Sequence, residues 1–355
     1  MVNLDRIKQF LKRVPNALIW RYKVYKPYLI RPKHMIYLFG SPGHSNMGDQ
    51  AQTYCITKWL EHNYPSYGIR IFTLSESTES VFVLLRRFIR KNDKLICHSG
   101  YHITDLYNER LPYMELAKRF KDHQIIIFPQ TVFFKDQKKL IENADTFNKH
   151  GNVLLMCRDE VSHNEAMKYF VNCRLMLMPD IVTSLIGTRR YDYKRDGILF
   201  CIRNDKESFY SKSDIEELRK RFPTERTNIT DTTISKDSMY ISKHREEILE
   251  QIFNEYAQYK VVVTDRYHGT IFSLIAGTPV VVIGSSDHKL SSGVRWFPDS
   301  FSDYVYFANT LEEAYTISSE ILKSTSRNYH LPPYFKKNYY DGLKYRIEEE
   351  FSSSL

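Results

Sequence analysis

Residues 261–284 read VVVTDRYHGTIFSLIAGTPVVVIG, and their pattern decides the fold. The β-branched run VVVT predicts a strand at 260–264, and PVVVI predicts a second at 279–283. Between them an apolar helix is expected at 268–276, with Gly277-Thr278-Pro279 turning the chain into the next strand. Continuous apolar strands joined by a helix point to a parallel sheet covered on both faces.

The same alternation extends outward. Strands are expected at 35–40, 69–74, 94–98, 124–128, 153–157 and 174–178, with helices at 49–63, 78–90, 105–121, 136–148 and 159–170. A charge-dense stretch, GTRRYDYKRDG at 187–197, reads as a linker. Beyond it come a strand at 198–202, a helix at 212–222, a strand at 226–230 and a helix at 240–258, then the quoted unit. Helical patterns at 310–323 and 335–350 close the chain. At 355 residues the chain exceeds what one core normally serves. The fold class is therefore α/β: two Rossmann-like domains with parallel sheets, at 35–190 and 196–330, and a ligand cleft between them. A basic arm, 1–34, precedes them. A C-terminal helix within 331–355 is expected to pack back on the first domain.

In open α/β sheets, ligands sit beyond the carboxyl ends of the strands. The quoted strand ends in Asp265-Arg266-Tyr267-His268-Gly269, which puts a fixed cation and a titratable imidazole at the mouth of the second sheet. The first expected strand runs into GSPGHSNMGDQ, 40–50, where Asn46, Gly48 and Asp49 open a helix. A helix start suits phosphate or carboxylate, although Asn46 or Asp49 would serve equally as a plain cap. The loop is not a GxGxxG, so a nicotinamide dinucleotide is disfavoured. Gln130 follows the strand at 124–128, Arg158 the strand at 153–157, and Arg203 the strand at 198–202. Together they place two further arginines near the cleft.

Charge and composition bound the class. Of the net charge of +9, +8 belongs to residues 1–34, where nine Lys or Arg accompany Asp5 alone. The body is nearly neutral, which argues against nucleic acid as a partner. The arm mixes its cations with Leu4, Ile7, Phe10, Leu18 and Trp20, a composition suited either to an anionic membrane surface or to packing on the body. No run of about 18 apolar residues or secretory leader is visible. Five scattered cysteines without CxxC spacing suggest free thiols in a reducing compartment. The expected location is the cytoplasm, peripheral to the inner face of the membrane. No metal cluster is visible.

Asn46-x-Gly48-Asp49 and Asp265-Arg266-x-His268-Gly269…Ala276-Gly277-Thr278-Pro279 resemble the polysaccharide pyruvyl transferase family. Pro129-Gln130-Thr131, Arg158-Asp159 with Ser162, and Pro179-Asp180 are further matches, in order from about residue 36 to 285. The resemblance implies a glycosyltransferase-B-like fold. It also implies transfer of the pyruvyl group of phosphoenolpyruvate onto sugar hydroxyls, usually as a ketal, in a cell-surface polysaccharide precursor such as an exopolysaccharide or capsule unit. The donor is a substrate, with no further cofactor implied. On this resemblance Arg266 and His268 bind the donor and move a proton, Arg203 and Arg158 bind its anionic groups, and Asp49 or Asp265 accepts the hydroxyl proton. Asn46, Gly48, Asp49, Gln130, Asp265 and His102 are expected around the acceptor, which could be lipid-linked. One departure stands out: where the family commonly has a Gly-Gly-Gly-Asn-like loop, this chain reads His98-Ser99-Gly100-Tyr101-His102. A nucleotide-sugar glycosyltransferase of the same fold, or a non-catalytic glycan-assembly protein, is the alternative.

Overall fold

The computed structural model describes residues 31–204, 208–284, 296–324 and 329–352. Most of the expected basic arm, residues 1–30, lies outside these. Its described end is anchored to the body, where Arg31 donates to Asp93 Oδ2 at 2.8 Å and to the carbonyl of Phe88 at 2.6 Å.

The first half comprises β1 (His34–Ser41), α1 (Met47–Asn63), β2 (Tyr67–Thr73), α2 (Glu79–Phe88), β3 (Lys94–Cys97), β4 (Gly100–Thr104), α3 (Leu111–Arg119), β5 (Ile125–Phe133), α4 (Gln137–His150), β6 (Val153–Cys157), α5 (Glu160–Tyr169) and β7 (Arg174–Leu177). The second comprises β8 (Ile198–Cys201), α6 (Lys212–Lys220), β9 (Thr227–Thr230), α7 (Ser238–Lys243), α8 (Arg245–Tyr256), β10 (Val261–Thr264), α9 (Tyr267–Ile275), β11 (Val280–Ile283), β12 (Val305–Ala308) and α10 (Leu311–Lys323). A last helix, α11 (Leu343–Ser352), follows a π-helical turn at Lys336–Tyr340.

Both sheets are parallel, as the apolar runs require. The first has the order β2-β1-β3-β5-β6-β7 with β4 also on β5, and the second β12-β11-β10-β8-β9. In each, the chain steps outward from the first strand, then returns to build on its other side. The order reverses between β1 and β3 and between β8 and β10. Crossover connections leave in opposite directions at such a point, and a crevice opens there.

The quoted stretch folds as its residues dictate. Val261, Val262 and Val263 are fully buried between the two helix layers. Thr264 then caps the strand, its hydroxyl donating to Cys201 O at 2.6 Å and accepting Arg266 N–H at 3.0 Å. Gly269 lets α9 lie against this corner, because a Cβ there would stand 2.4 Å from Thr264 Oγ1.

Three details differ from the sequence reading. β4 and β12 are strands that it did not expect. The helix expected at 105–121 is shorter, beginning with a 3-10 turn at Asn108–Arg110. The helix expected at 240–258 is two helices, because His244 leaves helical backbone (φ −118°, ψ 23°) between an Asp237-capped turn and α8. The 187–197 stretch, largely exposed, is pinned to the second half by one buried side chain. Arg195 is buried, donating to Ala276 O at 2.7 Å and to the Thr278 hydroxyl. All five cysteines are buried and unpaired. Among the described residues no helix is long and apolar enough to cross a membrane.

Candidate active site

The two sheet reversals open into one cavity of about 740 Å³. From the first half it is lined by His44, Ser45, Asn46, Asp49, Gly100, Tyr101, His102, Tyr107, Glu109 and Arg158. From the second come Arg203, Thr232, Thr233, Arg266, Tyr267 and His268. The halves are stitched together at its floor. Met47 N–H donates to Thr232 O at 2.7 Å and Ile234 N–H to Ser45 O at 3.1 Å. Asn46 thus caps α1, accepting Gly48 N–H at 2.9 Å, while bridging to the strand-end loop of β9.

At Gly48 the two halves come into close contact. A Cβ built on it would lie 2.1 Å from His268 Nδ1, so only glycine allows α1 to start against that ring. The other ring nitrogen, Nε2, is buried 3.6 Å from Asp180 Oδ2. That separation is an ion-pair distance, too long for a hydrogen bond. Asp180 is fully buried and also receives Gln52 Nε2 at 2.6 Å, Val182 N–H at 3.0 Å and Arg158 Nη1 at 3.5 Å. Burial alone would raise its carboxyl. The neighbouring His268, the charge of Arg158 and the Val182 N–H outweigh it and hold the group down to about 2.

The Arg266 and Arg158 side chains are held by acceptors that fix their direction. Arg266 makes a two-pronged pair with Asp231, both contacts at 2.8 Å. Arg158 donates from Nε to Thr131 at 2.6 Å and lies over the Tyr267 ring, 5.5 Å from its centroid. The backbone N–H of Arg203 donates to Asp265 at 2.8 Å. At the cavity surface three guanidiniums therefore meet two carboxylates, Asp49 and Glu109. The balancing Asp180 and Asp265 stand behind the wall.

Of the residues singled out from sequence, His268, Arg266, Asp49, Arg203, Arg158, Asn46 and His102 line the cavity, and Gly48 lies directly beneath His268. Two do not reach it. Gln130 is fully buried; its amide donates to His98 O and its oxygen accepts His102 N–H at 2.9 Å, so it shapes the wall from behind. Asp265 is buried under Arg203, and burial pushes its carboxyl up against the pull of the Arg203 N–H and the Arg266 charge. Both thus stand behind the cavity surface.

The chain is 30% identical over 319 residues to general stress protein 30 of Bacillus subtilis, covering 87% of this chain and 91% of that protein. It is 25% identical over 276 residues to pyruvyl transferase 1 of Schizosaccharomyces pombe, covering 74% and 69%. Residues 46–288 match the family described as polysaccharide pyruvyl transferase. The chain belongs to that family. Its fold is shared more widely: the UDP-GlcNAc 2-epimerase of Methanocaldococcus jannaschii superposes with a TM-score of 0.54 at 9% identity, over 89% of this chain and 99% of that one.

In this pyruvyl transferase family member, the unusual 98–102 segment has two functions. His98 and Ser99 are internal: His98 Nδ1 donates to Ser99 O at 2.5 Å, its Nε2 meets the Thr53 hydroxyl at 2.8 Å, and burial lowers its pKa to about 4, so the ring is neutral. Gly100, Tyr101 and His102 then line the cavity as the start of β4. Sequence reading missed Asp180 as the partner of His268, Asp231 as the partner of Arg266, and Glu109 altogether. Pro179-Asp180 was visible as a motif, but no spacing rule ties it to a histidine 88 positions later.

Proposed function

We propose that this transferase moves the pyruvyl group of phosphoenolpyruvate onto two hydroxyls of a sugar, closing a ketal within a cell-surface polysaccharide precursor. The observation that carries the reading is the convergence of Arg158, Arg203, Arg266 and His268, from both halves, on one cavity. Phosphoenolpyruvate presents a phosphate and a carboxylate, and planar guanidinium forks bind both classes of anion through paired hydrogen bonds. The first turn of α9 adds backbone N–H groups and the positive end of its dipole on the same side.

His268 supplies the proton. With Nε2 buried beside Asp180, Nδ1, next to Gly48, is the ring nitrogen left to deliver a proton to the methylene carbon of the donor. The adjacent carbon then carries positive charge, which a sugar hydroxyl attacks. Departure of phosphate regenerates an electrophilic carbon, and the second hydroxyl closes the ketal. Of the two carboxylates weighed as proton acceptors, Asp49 is the one at the cavity surface.

The test is incubation with phosphoenolpyruvate and a panel of UDP-linked and polyprenyl-diphosphate-linked hexoses, following phosphate release and the mass of the product. His268→Ala is expected to lower turnover roughly 10²–10⁴-fold while phosphoenolpyruvate still shifts the melting temperature. Product formed at the parental rate by His268→Ala, or protection by UDP in place of phosphoenolpyruvate, overturns the reading.

A further inference from the structure

We infer that Glu109 is the acid–base group of the acceptor side, taking the proton of the attacking sugar hydroxyl and handing it to the departing phosphate. This rests on the pyruvyl-transfer reading and deepens it. Among the described residues that line the cavity, the carboxylates are Asp49 and Glu109. Asp49 lies in the first turn of α1, with His44 Nε2 3.7 Å from its carboxylate. Glu109 sits on the first-half wall, on the 3-10 turn before α3, and its side chain keeps 28% of its exposure.

What surrounds Glu109 suits a group that both takes and gives a proton. Its neighbour His102, with Nε2 3.4 Å from Glu109 Oε2, would pair with it as an ion only if charged. Burial keeps that ring neutral, and its Nδ1 is engaged at 2.5 Å by the Tyr113 hydroxyl. The ring therefore stands beside the carboxyl without neutralising it. From α1 the charge of Asp49 bears on Glu109, and partial burial adds to it. Burial first, then that like charge, raise Glu109 to about 7. The other charged or titratable groups on the cavity are His44 beside Asp49, Tyr101, Tyr107 on Glu109's own turn, Arg158 on the same half, and Arg203, Arg266, Tyr267 and His268 on the second half. A carboxyl poised near neutrality is the effective kind of acid–base catalyst at that pH.

The proton count closes. Two hydroxyl protons leave the sugar; the donor carbon gains one, and the departing phosphate takes the other to become hydrogen phosphate. His268 gives its proton to the methylene carbon, breaking the C=C π bond. The first hydroxyl oxygen then forms its bond to the neighbouring carbon as its proton passes to the Glu109 carboxylate. Glu109 returns that proton to the bridging oxygen as the carbon–oxygen bond to phosphate breaks. The second hydroxyl closes the ketal and its proton restores His268.

The experiment compares the parental protein with Glu109→Gln, Glu109→Asp and Asp49→Asn. The expected result is a ¹³C-labelled glutamate carboxyl that titrates near neutral pH, is missing in Glu109→Gln, and moves to lower pH in Asp49→Asn as the like charge is removed. Turnover on the hexose panel rises with pH as Glu109 ionises, and that rise shifts the same way in Asp49→Asn. Glu109→Gln loses on the order of 10²-fold or more in turnover with phosphoenolpyruvate protection intact, and Glu109→Asp recovers part of it. No near-neutral carboxyl titration, or a Glu109→Gln protein with parental turnover and pH profile, overturns the inference. If phosphoenolpyruvate fails to protect the parental protein, the underlying reading fails instead.

Discussion

Asp180 shows how one carboxylate decides the state of three other side chains. It has no exposure, yet its oxygens face Arg158, His268 and Gln52 at once, so the site's cations are anchored from behind and present their open sides to the cavity. Removing one charge from such a cluster leaves the others buried and uncompensated, which typically costs about 3–5 kcal/mol. Asp180→Asn should therefore lower stability measurably at pH 6. The sign with pH follows from the depressed native value of about 2. The unfolded chain titrates near about 3.9, so the stabilisation is fully present above that value and disappears as pH falls through about 2. A shift of that size is worth on the order of 2–3 kcal/mol. Urea midpoints of the parental protein and Asp180→Asn should draw together as pH falls from about 4 toward about 2; a gap that stays constant with pH contradicts the assignment. None of this was readable along the chain, because the partners sit at positions 52, 158, 180 and 268 and only the fold brings them together.

At the scale of elements, legibility followed burial. The strands β1, β3, β5, β6, β8, β10 and β11, buried over most of their length, announce themselves through apolar runs, which is what a sheet covered on both faces requires. β4 escaped because it is short, polar and built around Gly100 at φ 133°, and β12 because its residues are partly exposed at the sheet edge. Helix starts were equally visible, Asn46 and Asp159 being caps as well as landmarks. What a cap signal cannot reveal is which other element leans on it. The start of α1 bears against the start of α9, and Gly48 is the contact. Gly48→Ala pushes a methyl into the His268 ring; overpacking of this kind costs about 1–3 kcal/mol, and a displacement of about 1 Å in a catalytic group costs about 10²-fold in rate. Gly43→Ala, with nothing within 4 Å of the added carbon, is the control. Steady-state turnover and a melting curve on both variants check this, and equal activity in the two would show that His268 tolerates the shift.

The whole molecule is held as one body by segments that cross between its halves. Along one side, α1 meets α8: Gln50 receives Arg245 Nε at 2.8 Å, and Tyr54 donates to Glu246 at 2.9 Å. The Lys58–Glu246 pair beside them is half exposed, and pairs of that kind contribute well under about 1 kcal/mol. The heavier tie is apolar. After completing the second half, the chain returns to the first: Trp59 Nε1 donates to Tyr340 O at 3.1 Å, the Tyr340 hydroxyl donates to Pro179 O, and Arg174 lies 5.1 Å from the Phe351 ring centre. Leu343 and Ile347 of α11 are buried in the same apolar cluster as Ile36, Leu38, Trp59, Leu199 and Val262, which spans both sheets. Each such side chain is worth roughly 1.5–3 kcal/mol when buried. Deleting residues 342–355 should therefore remove about 3–6 kcal/mol from a total that rarely exceeds about 15. The expected outcome is a lower urea midpoint, with Trp59 fluorescence and far-UV circular dichroism still moving together because the shared core couples the halves. An unchanged midpoint would mean that α11 adds nothing to that core. Two separated transitions would mean that the cavity's walls are joined only by its floor, and the arginines of one half could then drift from the histidine of the other.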